Sequence, residues 1–113
     1  MLARLRIPSG WNIGFNTLAE PLEGSDFPEL WDLKEDILQF QNHQRRVIVD
    51  LGWLPDFDPS GSYRLVTVAL ESDEDRQIEA WAAPLRIHTS KSYSEIVEVL
   101  EAWLEDESLA VSG

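Results

Sequence analysis

Apolar and polar positions alternate with different periods in different parts of the chain. Trp11, Ile13 and Phe15 are interleaved with Asn12, Gly14 and Asn16, the period-two pattern of a half-buried strand. Arg4 to Ile7 is a shorter extended candidate, set off from it by the turn formers Pro8-Ser9-Gly10. Between Asp26 and Gln41 the apolar positions Leu30, Trp31, Leu33, Ile37, Leu38 and Phe40 recur every three or four residues, which predicts a helix. Asp26-Phe27-Pro28-Glu29 supplies an N-cap carboxylate, a first-turn proline and an acid three residues on.

The β-branched run Val47 to Leu51 predicts a strand, closed by Gly52-Trp53-Leu54-Pro55. Asp56 to Ser62 is dense in turn formers, with Gly61 expected at a positive-φ position, and Tyr63 to Leu70 is the returning strand. Residues Glu71 to Arg76 form a charged connection. Gln77 to Thr89 reads as a further strand, interrupted by Pro84 and so placed at a sheet edge or bulge. Ser92-Tyr93-Ser94-Glu95 matches a capping box, and Ile96, Val97, Leu100, Trp103 and Leu104 make one apolar helical stripe, with fraying expected after Asp106. The expected order is therefore β-β-α-β-β-β-α. Short polar turns between consecutive strands favour an antiparallel sheet of four to five strands with two helices packed on it, an α+β fold.

Length is consistent with one domain over residues 1–113. Of the 113 residues, 43% are hydrophobic and five are Trp, too rich a composition for a disordered tail. Trp31 and Trp103 fall on helical stripes and are expected in the core, and burial against the sheet is the favoured reading for Trp53 and Trp81. An exposed Trp53 or Trp81 would instead serve as an interface anchor.

Charge changes the picture most. Nine Lys and Arg face 21 Asp and Glu, giving a formal net charge of -12. That field opposes binding to nucleic acid and to anionic membranes. No stretch resembles a secretory signal or a membrane span, so a cytoplasmic location is expected. The absence of cysteine removes disulfides, thiolate metal sites and cysteine nucleophiles.

Candidate chemistry is sparse. Asp56-x-Asp58-x-Ser60-Gly61 imitates a calcium loop, but Thr67 stands where the bidentate Glu belongs and Pro59 stiffens the loop. His43 and His88 share no metal-binding spacing, and no nucleophile motif is present. The expectation is a protein that is not an enzyme, with no metal site and no cofactor; nothing in the residues specifies an oligomeric state. The competing enzyme reading would rest on His88 and a nearby carboxylate.

Arg6-Ile7-Pro8-Ser9-Gly10-Trp11, then Val49-Asp50-Leu51-Gly52-Trp53-Leu54-Pro55-Asp56-Phe57-Asp58-Pro59-Ser60-Gly61-Ser62-Tyr63-Arg64-Leu65, resembles a family of small bacterial immunity proteins. The likeness continues in outline through Trp81, Pro84-Leu85 and the Ser94 to Leu104 helix. Such proteins are encoded beside secreted or contact-dependent toxins and neutralise them by direct binding. The matching residues are of turn, strand and core types, so the resemblance implies the class and no particular site residue.

That class suits the charge, because nuclease toxins have basic clefts that an acidic inhibitor can fill. The expected contact residues are Asp56, Asp58, Asp73, Glu74 and Asp75, with Trp53, against a cognate toxin with a basic cleft. Glu95, Glu98, Glu101 and Glu105 on the last helix form the alternative acidic surface. A different class of function is an adaptor or regulatory module that binds another protein through a sheet edge near Pro84.

Overall fold

A computed structural model describes residues 2–109, with side chains characterised through 107. Its centre is β3 (Val47–Leu54), where the β-branched Val-Ile-Val run favours extended backbone. β2 (Leu38–Asn42) pairs antiparallel with one side of it and β4 (Ser62–Ala69) with the other. β1 (Asn12–Asn16) adds outside β2, and β5 (Arg86–Ser90) outside β4. The result is one five-stranded antiparallel sheet in the order β1-β2-β3-β4-β5. α1 (Glu74–Ala82) lies within the β4–β5 connection, and α2 (Tyr93–Leu109) follows β5. No helix among the described residues is long and apolar enough to cross a membrane.

The α+β class and antiparallel sheet are as expected, but the order is β-β-β-β-α-β-α, and two of the expected elements change type. The helix expected over 26–41 is absent. In its place Leu30–Asp32 makes a single 3-10 turn and β2 begins at Leu38. In β2, Leu38, Phe40 and Asn42 are buried and alternate with half-buried Gln39 and Gln41, so tertiary pairing selects period two over the helical spacing. Trp31, expected in the core, is 67% exposed. The strand expected over 77–89 is α1 followed by β5. Asp73 caps α1 by accepting from the Arg76 amide, and Gln, Glu and Ala hold the helix until Pro84. Ala83, before the proline, has already left helical geometry at φ -133, ψ 70.

Arg4 to Ile7 is not a strand. Leu2 bridges Ala19, while Ala3, Leu5 and Ile7 pack against the main core. Gly61 is not at positive φ. It is required because a Cβ there would sit 2.4 Å from the Leu54 carbonyl oxygen, and Phe57 takes the left-handed position of that hairpin instead. α2 continues past Asp106 to Leu109, and the rest of the tail expected to fray lies outside the described residues.

Strand alternation gives the sheet two unlike faces. Val47, Val49, Leu51 and Trp53 of β3 join Tyr63 and Leu65 of β4 in the main core, covered by Ile96, Leu100, Trp103 and Leu104 of α2. The Trp11 indole donates to the Leu104 carbonyl at 3.1 Å, locking α2 to the N-terminal segment. On the opposite face, Ile48, Val66 and Val68 form a much smaller cluster backed by Leu70. α1 crosses this side, held by the Gln77 side chain, which donates to the Ala69 carbonyl at 2.8 Å and accepts from the Glu71 amide at 2.9 Å. None of its residues is buried.

Candidate partner-binding surface

The expected contact residues do not form one patch. Asp56 and Asp58 follow β3, whereas Asp73, Glu74 and Asp75 follow its antiparallel neighbour β4, so the two groups occupy opposite ends of the sheet. Strands of eight residues separate them by roughly 25 Å. Asp56 accepts the Glu35 amide at 2.7 Å, pinning the segment that leads into β2. The Asp58 carboxylate accepts the Ser60 hydroxyl and amide at 2.7 and 2.9 Å, and these bonds hold it below the usual carboxylate range. Asp73 is the α1 N-cap, and Glu74 and Asp75 sit exposed in the first turn, where negative charge complements the helix dipole.

Trp53 is 0% exposed and is a core residue, not a surface anchor. Its indole N–H donates to the Asp58 carbonyl at 2.7 Å, and its ring meets Phe27 and Tyr63 edge-on at 5.4 and 5.1 Å. It supports the hairpin that carries Asp56 and Asp58. Trp81, expected to lie buried in a strand, instead sits on α1 and is 37% exposed.

What the fold does assemble is a groove on the second sheet face. Glu35, Asp36, Gln39, Asp50, Gly52, Leu54, Arg64, Val66 and Trp81 line a cavity of about 300 Å³. Register explains the grouping. Gln39, Asp50, Val66 and Ile87 are successive cross-strand partners on β2, β3, β4 and β5, one row running across the sheet. Gly52 and Arg64 begin the next row. The Glu35 backbone closes the groove at one end by passing over Gly52, so near that a Cβ at 52 would lie 1.9 Å from its carbonyl oxygen.

Three acidic residues, Glu35, Asp36 and Asp50, and one arginine, Arg64, belong to this lining, Glu35 meeting Gly52 with its backbone. Asp50 is the most constrained of them. Burial raises its pKa, Asp36 adds to the rise, and Gln39, which donates to its carboxylate at 3.3 Å, and Arg64 work the other way. A partly desolvated carboxylate in a concave site is a recognised mark of functional surfaces. Of these candidate residues, Asp50, Asp36, Glu35 and Arg64 are not singled out by the sequence, and Trp81 is singled out only as an alternative to burial. The available signal was a lone acid in an otherwise apolar strand.

The last helix divides its acids. Glu95 is held by His88, with 3.0 Å between Nε2 and Oε2, and that contact, followed by Ser90, lowers its pKa. Glu98, Glu101 and Glu105 border a shallow trough with Arg6, Ile7 and Pro8, where Glu101 accepts the Arg6 amide at 2.7 Å. Among the described residues no group of three His, Asp or Glu side chains is placed to hold a metal ion. No family model matches this chain, and neither the curated proteins nor the solved structures yield a match.

Proposed function

We propose that this chain is an immunity-type protein that binds and neutralises a cognate toxin carrying a basic cleft. The observation that carries the reading is the charge, -12 on 113 residues. A surplus of that size works against folding through self-repulsion, and a basic partner offsets it. Carboxylates can occupy the positions that phosphates take in a nuclease cleft, and complementary fields accelerate encounter. The acid-lined groove on an incompletely covered sheet face supports binding through a surface of the fold.

The test is to co-express the chain with the product of the toxin gene beside its own, then mix the purified proteins at low salt. The expected results are protection of the cells, a stoichiometric complex, and weakening of that complex as salt rises. No complex at low salt overturns the proposal. A complex indifferent to salt would favour an adaptor that binds through the β5 edge.

A further inference from the structure

The second sheet face offers more than negative charge. α2 and the N-terminal segment cover the first face, whereas α1 reaches only part of the second. Beyond α1 the row Gln39–Asp50–Val66–Ile87 runs out into solvent, with Ile87 54% exposed. Leu54 and Trp81 stand half-exposed beside the acids of the groove.

We propose that this face docks a basic segment of the partner protein, with one arginine side chain entering the groove between Asp50 and Trp81. The inference rests on the acidic-binder reading above and specifies its surface. Charge selects the occupant, because the lining residues include three acids and one arginine, and an incoming cation offsets part of that surplus. The combination of an indole face and carboxylates selects arginine over lysine. A guanidinium stacks on an aromatic ring while its N–H fork engages a carboxylate, and an ammonium does neither as well. The cavity of about 300 Å³ is at the small end of ligand pockets, suited to one side chain. A second copy of this chain is the poorer occupant, since it would set Glu35, Asp36 and Asp50 against another surface of the same net charge.

The experiment titrates the isotope-labelled full chain with a capped hexa-arginine peptide and maps amide and indole shifts. It is run at about 0.15 M salt, where a Debye length of about 8 Å screens remote acids. Saturable shifts are expected at Asp50, Gly52, Val66 and the Trp81 indole. Asp50→Asn and Trp81→Ala should each weaken binding at least about threefold. Glu74→Gln with Asp75→Asn, two helical turns from Trp81, should change it less than about twofold. Circular dichroism establishes that each variant is folded, and a hexa-lysine peptide should bind more weakly.

Shifts centred on residues 73–75 or on Glu98, Glu101 and Glu105, with Asp50→Asn neutral, overturn the groove assignment. Equal binding of hexa-lysine, absence of saturation, or a dimer formed through Ile87 and Trp81 does the same. Each of these leaves the immunity reading intact if the toxin complex forms, whereas failure of that complex removes the reading itself.

Discussion

Asp50 sits mid-strand between apolar neighbours, half-buried, with its carboxylate supported by Gln39. Burial raises its pKa, so the folded chain holds this proton more readily than the unfolded chain. Its effect on stability therefore has a definite sign. As pH rises through the folded value, ionisation of Asp50 destabilises the fold; as pH falls back toward the unfolded value, that loss is recovered. Asp26, Asp58 and Glu95 behave oppositely, because hydrogen bonds lower their values and the stability they add is lost as pH falls through them. Asp50→Asn should consequently raise Tm at neutral pH and remove part of the gain seen on mild acidification. Melting both proteins across that range checks this, and a constant difference in Tm would show a fully solvated carboxylate. Such a trade of stability for a charged site is common where a residue is kept for binding. Two residues on, Gly52 is dictated by the Glu35 backbone passing over it. Gly52→Ala should cost at least about 3 kcal/mol in urea unfolding, since the clashing atoms are main chain and cannot rotate away.

At the scale of elements, the start of α2 depends on a loop far back in the chain. Asp26 accepts the Ser94 amide at 2.8 Å and the hydroxyls of Ser92 and Ser94, while its carbonyl accepts the Tyr93 amide at 2.9 Å. Asp26→Ala should cost about 1 kcal/mol, the usual value of a lost helix cap. Hydrogen exchange at Ser94 should rise with it, and unchanged exchange would place the capping entirely on Ser92. The acid read in the sequence as the cap of a helix directly after it instead caps α2, and no α-helix directly follows it. α2 itself was legible because Ser92 accepts the Glu95 amide at 3.1 Å and its apolar stripe is unambiguous. β3 and β4 were legible from β-branched runs flanking a turn. Residues 26–41 were misread because Leu33, Ile37, Leu38 and Phe40 suit either period, and only pairing with β3 decides between them. Residues 77–83 were misread because Ile78, Ala80 and Ala82 alternate while also being acceptable in a helix. The groove was hidden for the same reason: Gln39 joins Asp50 only once β2 is a strand in the right register.

For the molecule as a whole, the unequal charge acts on stability and on association with opposite signs. The bases Arg45 and Arg86 converge on α2, Arg45 reaching Glu107 at 3.3 Å and Arg86 reaching Asp106 and Glu107 at 3.4 and 3.1 Å. The Arg86–Asp106 pair is open to solvent and worth about 0–1 kcal/mol, and the two pairs to Glu107, whose side chain is 12% exposed, are partly covered. Repulsion among twelve surplus acids is the larger collective effect, and added salt screens it. Sodium chloride should therefore raise the Tm of the free chain while weakening its complex with a basic partner; a Tm that falls with salt would mean that the ion pairs outweigh the repulsion. Kinetics separate the general field from the groove. Charges at the rim act on encounter, whereas a contact made in the bound state acts on dissociation. Glu74→Gln with Asp75→Asn should slow association with the proposed basic partner, flatten its salt dependence and leave dissociation unchanged. Asp50→Asn should accelerate dissociation and alter association little. Surface plasmon resonance at several salt concentrations measures both rates. If the two variants change the same rate constant, the groove is only one more part of a diffuse acidic surface, and the second sheet face has no special place in recognition.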